Sequence, residues 1–221
     1  MKSFDDIARA NAEHYDRLLR ESGDTHAAAQ WADQPTQDLR LKILCEIGDL
    51  KPAKVLDFGC GMGRLYELLS AQGFKGEYVG YEIAPNLAAA AQKKHASARF
   101  ECRDILKNGL PEDFDYVLIS GVFNNKHSAS SEYVQAVLKT LFARTRKGIA
   151  FNGLSTYVDY LAENLNYMDP IETFARCKAG LSSAVTLRHD YQLKANVIPY
   201  EFTIYVYKNG LPLPANQTAS Q

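Results

Sequence analysis

The sequence has no long apolar run. No stretch nears the roughly 20 consecutive apolar residues that a helix needs to cross a bilayer, and Lys2-Ser3-Phe4-Asp5-Asp6 lacks the apolar centre of a secretory leader. A soluble, cytoplasmic protein with no membrane partner is therefore expected. Cysteine is sparse: Cys45, Cys60, Cys102 and Cys177 stand far apart, with no C-x-x-C pair and no flanking histidines. That pattern supports neither a metal site nor a disulfide framework, and reduced structural thiols are expected. An excess of one charge is missing too, since 25 Lys and Arg meet 26 Asp and Glu for a formal net charge of −1. Without a basic excess, a broad phosphate-binding surface and a nucleic acid partner are not expected. Lys93-Lys94-His95 and Arg144 to Lys147 are locally basic, but both fall at expected helix ends, where cations offset the helix dipole. No repeat, linker or second domain is visible, and 221 residues with 46% hydrophobic content suit one α/β domain with a sizeable core.

The most informative segment is Val55-Leu56-Asp57-Phe58-Gly59-Cys60-Gly61-Met62-Gly63, an apolar strand that ends near an acid and breaks into three alternating glycines before a helix. Such glycines let the backbone turn sharply and approach a ligand closely, and strand–turn–helix units of this kind build doubly wound sheets whose ligands lie beyond the strands' carboxyl ends. A dinucleotide fingerprint, G-x-G-x-x-G/A, needs a small third residue for helix–sheet packing. Here that position is Arg64. Asp57 would repel a pyrophosphate and suits a ligand bearing an ammonium group. A nucleotide-dependent oxidoreductase is the alternative that this loop disfavours.

Two further strands end in acids. Glu77 to Glu82 closes on Glu82, whose carboxylate can accept hydrogen bonds from both ribose hydroxyls, and Pro85 then opens an Ala-rich helix. Arg99 to Asp104 closes on Asp104. With its D-x-G-x-G-x-G loop and this series of strand-end acids, the stretch from about Val55 to Ser120 resembles the class I S-adenosylmethionine-dependent methyltransferases.

The resemblance implies an α/β fold: a doubly wound seven-stranded sheet, mostly parallel with an antiparallel C-terminal strand, plus N-terminal lid helices. It implies S-adenosyl-L-methionine as cofactor, held by Asp57, Gly59, Cys60, Gly61, Gly63, Glu82, Ile83, Asp104, Ile105 and Ser120. Asp104 would meet the adenine amino group, and the Ile105 amide would face the ring. Cys60 itself is expected as a small packing residue. The remaining order fits: strands at Asp115–Ser120 and Lys147–Asn152, a helical period over Ser131–Phe142, a helical stretch between Tyr157 and Gly180 broken at Pro170, and an antiparallel pair at Val185–Tyr191 and Glu201–Tyr207. The expected division is 1–50 as lid helices, 51–208 as the methyltransferase domain and 209–221 as a flexible tail.

Family members that methylate exocyclic amines of nucleic-acid bases usually carry an Asn/Asp-Pro-Pro-aromatic motif after the fourth strand. Ser120-Gly121-Val122-Phe123-Asn124 has no proline, so a small-molecule acceptor is expected. Residues at the carboxyl ends of the fourth and fifth strands should meet it: Phe123, Asn124, Asn125, Lys126 and His127, then Asn152, Ser155 and Tyr157. Asn124 and Asn152 can orient an acceptor without titrating. His127 is a candidate general base or a solvated loop histidine, and His189 and Tyr191 either reach the pocket or serve the sheet. A retained cofactor pocket without turnover is the non-enzymatic alternative.

Before the glycine loop, Phe4, Ile7, Asn11, Tyr15, Leu18 and Leu19 suggest an amphipathic helix, broken at Gly23-Asp24, and Thr36 can cap a second through Ile47. Trp31 between them is either a lid aromatic or a packing anchor. Arg40, in Leu39-Arg40-Leu41, either holds the cofactor carboxylate through a guanidinium fork, with Gln37 assisting, or decorates an exposed helix face. Oligomeric state is left open.

Overall fold

A computed structural model describes residues 3–23 and 33–210. Trp31, Asp24 and residues 211–221 of the expected tail lie outside them. In chain order the elements are α1 (Phe4–Ser22), α2 (Gln34–Cys45), β1 (Lys54–Phe58), α3 (Arg64–Ala71), β2 (Glu77–Glu82), α4 (Pro85–Lys94), β3 (Arg99–Cys102), α5 (Ile105–Asn108), β4 (Phe114–Ile119), α6 (Ser130–Ala143), β5 (Thr145–Ser155), β6 (Tyr167–Met168), α7 (Pro170–Gly180), β7 (Val185–Arg188) and β8 (Glu201–Tyr207).

The strands form one sheet in the order β3-β2-β1-β4-β5-β8-β7, with β6 paired to β5 off this path. Only β8 runs against its neighbours, β5 and β7. The expected seven strands are present, and β6 is an eighth that two residues give no periodic signal for. Side chains alternate between two helical layers, as period-two strands require. Leu56, Val117, Ile119, Ile149, Phe151, Phe202 and Ile204 pack towards α6 through Val137, Leu138 and Leu141. Val55, Leu118, Ala150 and Tyr205 pack on the other face with Leu41 and Leu44 of α2, Leu65 and Leu69 of α3 and Ala91 of α4.

Three expectations need correction. The stretch Tyr157–Asn166 is not helical; helix begins only at α7, where Asp169 caps it by accepting from the amides of Ile171 and Glu172, with Pro170 in the first turn. Upstream, Asn164 and Asn166 bond instead to the loop after β4. The cap of α2 is Asp33, which accepts from the Thr36 amide, so Thr36 is inside the helix. Finally, α2 is a core helix beneath the sheet. Its first turns still reach the carboxyl edge, where Asp38 pairs with Arg64 after the glycine loop, and α1 reaches that edge too, held where Asp16 accepts from both the amide and the side-chain nitrogen of Asn86 on α4.

Candidate functional site

Parallel strands that end together bring their following loops together, and here the loops after β1, β2, β3 and β4 enclose one cavity. Its wall carries Gly59 and Gly61, Glu82 and Ile83, Asp104 and Ile105, and Ser120, Gly121 and Asn124. Asn11 and Tyr15 of α1 and Tyr133 of α6 close it. Tyr133 was not singled out from the sequence. For Asn11 and Tyr15 the available signal was polar atoms on the buried stripe of an otherwise amphipathic helix.

The glycine loop adopts left-handed backbone at Gly59 (φ 76°), Gly61 (φ 52°) and Gly63 (φ 80°), a region that disfavours any Cβ. Close packing adds a second reason at two of them. A Cβ on Gly59 would stand 2.3 Å from Val122, and one on Gly63 would stand 2.8 Å from His95 and Phe100. Gly63 and Cys60 are absent from the cavity wall. Cys60 is buried, its thiol raised well above its usual range chiefly by burial and then by Asp57 and Glu82, so it stays protonated and inert.

Glu82 is buried on the cavity wall. One oxygen accepts from the amides of Ile83 (2.8 Å) and Ala84 (3.1 Å), the other from Gly61 (3.0 Å). A carboxylate has about four acceptor sites, so capacity remains towards the cavity. Asp104 spends one oxygen capping α5, accepting from Leu106 and Lys107. Asp57 lies behind the wall and accepts from the Tyr78 hydroxyl at 2.6 Å. Burial, with Glu82 as a lesser cause, raises its pKa to about 7 despite that bond. Glu82 is likewise raised by burial, against three backbone amides that lower it.

Two buried carboxylates next to one cavity favour a ligand carrying positive charge. Two polar atoms on the same wall, Ser120 Oγ and Asn124 Oδ1, are buried without a hydrogen-bond partner, a state that costs free energy until a ligand or water meets them. Acidic, hydrogen-bonding and glycine-lined, the cavity fits the ammonium, hydroxyls and flat base of S-adenosylmethionine.

Several expected site residues lie elsewhere. Arg40 is buried, but not on the cavity: its Nε donates to both Glu201 oxygens (2.8 and 2.9 Å) and its Nη2 pairs with Glu201 at 2.7 Å. Neither an exposed face nor a cofactor clamp describes it. Asn152 is 1% exposed and has both amide ends engaged, accepting from the Gly121 amide at 2.8 Å and donating to Glu201 at 2.9 Å. It therefore holds the loop after β4 and does not face an acceptor. His127 sits on the loop before α6, off the cavity wall, its amide donating to Ser130 Oγ. Phe123 is packed on Phe151 in the core. Asn125 donates to the Tyr15 hydroxyl, Ser155 is buried, and Tyr191 bonds Thr203. Tyr157 is exposed and stacks on His189.

Comparison with known proteins agrees with the geometry. A family model described as a methyltransferase domain matches residues 55–148. The Mycobacterium tuberculosis (strain ATCC 25618 / H37Rv) protein named "Putative methyltransferase Rv1506c" is 37% identical over 166 residues, 71% of this chain and 94% of that protein. Solved structures that share the fold include two methyltransferases. Magnesium protoporphyrin IX methyltransferase from Synechocystis PCC 6803, with bound SAM, has a TM-score of 0.66 at 17% identity, covering 95% of this chain and 99% of its own. The Burkholderia thailandensis 1,6-didemethyltoxoflavin-N1-methyltransferase, with 1,6-didemethyltoxoflavin and S-adenosylhomocysteine, has a TM-score of 0.64 at 17% identity, covering 94% and 91%.

Proposed function

The chain belongs to the methyltransferase domain family, and we propose that it transfers the methyl group of S-adenosylmethionine to a small-molecule acceptor at the cavity rimmed by Glu82, Asp104 and Asn124. The observation that carries this reading is the convergence of two strand-end acids, two loop glycines and two unpartnered buried polar atoms on one wall. Glu82 would hold the ribose hydroxyls, Asp104 the adenine amino group beside Ile83 and Ile105, and the Gly59–Gly61 turn the amino-acid half, with the Asp57 charge behind it favouring the ammonium. Bound there, the cofactor supplies a methyl group already activated by its sulfonium.

The chain's task is then to align a nucleophile and exclude water. Asn124 Oδ1 accepts a hydrogen bond from the nucleophile's N–H or O–H and orients its lone pair. Asn152, bonded to Gly121, keeps the Ser120–Asn124 loop in place and acts as a positioning residue. His127, on the loop before α6, remains the candidate proton acceptor nearest in sequence to Asn124. Residues 51–208 form the catalytic domain, with α1 its cover. Asn11 and Tyr15 on the cavity wall, and the Asp16–Asn86 bonds, support the covering role. The absence of a nucleic acid partner accords with the near-zero net charge, and among the described residues no helix is long and apolar enough to cross a membrane.

Calorimetric titration with S-adenosylmethionine and with NADH tests the ligand. Saturable binding of the first alone is expected; preference for NADH would overturn the reading. Release of S-adenosylhomocysteine in the presence of an acceptor separates turnover from mere binding.

A further inference from the structure

Large apolar side chains rarely cluster in water without a reason. Of the six exposed large hydrophobic residues among the described ones, five lie on two short segments: Tyr157, Tyr160 and Leu161, then Val197 and Ile198. Tyr160 is 75% exposed. The first segment leaves β5 after Ser155 and the second enters β8 at Glu201. Because Leu154 pairs with Glu201, both leave the sheet at one edge, the same carboxyl edge that holds the glycine loop.

Contacts join the two segments to each other and to the cavity. The Tyr157 ring stacks on His189 at 5.9 Å and 30°, and His189 Nε2 bonds the carbonyl of Pro199, next to Ile198. The stretch carrying Tyr157, Tyr160 and Leu161 returns to the loop after β4, where the Asn166 amide donates to the carbonyl of Asn124 at 2.8 Å and the Lys126 amide to that of Asn164. The segment bearing these side chains is thus tied, through Asn164 and Asn166, to the loop that carries Asn124 on the cavity wall.

We propose that this surface seats the body of the methyl acceptor, and that the acceptor is an apolar molecule with a flat ring system, its nucleophilic N–H or O–H directed at Asn124. The exposed face of Tyr157, backed by His189, offers offset stacking to a planar ring, and the aliphatic tips of Leu161 and Ile198 offer an unsatisfied apolar border. This inference rests on the methyl-transfer reading and adds to it the chemical class of the acceptor.

The test uses the full chain saturated with S-adenosylhomocysteine and titrated with 2-naphthol, followed by naphthol fluorescence. Saturable binding at one site per chain is expected, weakened at least tenfold in the double variant Tyr157→Ala, Ile198→Ser, whose exposed positions should leave folding and S-adenosylhomocysteine affinity unchanged. Decahydro-2-naphthol, the saturated counterpart, should bind at least tenfold more weakly than 2-naphthol. No naphthol binding, equal binding by the variant, or equal binding of the two alcohols would overturn the proposal. So would a wild-type dimer that the variant converts to monomer in sedimentation, or flotation with phosphatidylcholine vesicles that the variant abolishes. Failure of S-adenosylhomocysteine to bind would instead strike the methyl-transfer reading, and is read independently of the naphthol signal.

Discussion

The two sides of the sheet treat buried polar groups in opposite ways. On β5 and β8, Asn152, Glu201 and Arg40 of α2 answer one another: two carboxylate oxygens, a guanidinium fork and both ends of an amide are engaged, and the chain ends on the Gly121 amide. Tyr191 and Thr203 do the same nearby. At the ends of β2 and β4, Glu82 keeps acceptor capacity and Ser120 Oγ and Asn124 Oδ1 have no partner. Burial alone therefore does not mark a site. Mutually satisfied groups hold the architecture, and since His14 Nε2, Tyr81 Oη and Thr156 Oγ1 are also buried without a partner away from the cavity, incomplete hydrogen bonding singles out Ser120 and Asn124 only because it coincides with the cavity wall.

The sharpest break in that comparison is Arg40→Ala. Leaving Glu201 buried and unpaired should cost about 3–5 kcal/mol of stability, measured by urea unfolding, while the folded protein keeps its S-adenosylmethionine affinity. A selective loss of affinity with stability intact would move Arg40 to the cofactor side. Next comes Glu82→Ala, for which calorimetry should find S-adenosylmethionine binding weaker by about 2–4 kcal/mol, the size of lost charge-assisted bonds. Wild-type affinity there would erase the distinction between the two sides.

A smaller effect is expected of Asn124→Ala, about tenfold or 1.4 kcal/mol in the rate of methyl transfer, with cofactor affinity unchanged. Asn152→Ala should instead lower rate and stability together, because it releases Gly121 and one oxygen of Glu201. The smallest signal is a fraction of a proton. The pKa of Asp57 is raised to about 7, so the fold favours its neutral form. The stability this contributes is complete below the usual carboxylate value of about 4, is lost as pH rises from there through about 7, and changes no further above it. A cation bound nearby lowers that pKa, so S-adenosylmethionine binding at pH 6 should release under one proton per chain, visible in calorimetry across buffers of different ionisation enthalpy. Asp57→Asn should abolish both the release and the slope.

The order of strands, the glycine turn and the strand-end acids were legible in the sequence because they are local. Period-two alternation, left-handed glycines and acids at set offsets from a strand need no distant partner. Gly59, Gly61, Glu82, Asp104 and Ser120, which the glycine turn and the family resemblance together pick out, all line the cavity, with Asp57 behind it. Tertiary structure decided the rest. Leu39-Arg40-Leu41 reads as a helix face whichever way it points, and only the arrival of Glu201, 161 positions along the chain, makes Arg40 part of the architecture. Asn124 and Asn152 both read in the sequence as lying just past strand ends, yet Asn152 lies within β5, which runs on to Ser155, and spans Gly121 and Glu201, while Asn124 has an unpartnered oxygen on the cavity. Tyr157–Asn166 mimics a helix in composition and is drawn out of one by hydrogen bonds to the loop after β4. A hydrogen bond's partner is set by which segments the fold brings within about 3 Å, and one strand's sequence carries no record of that.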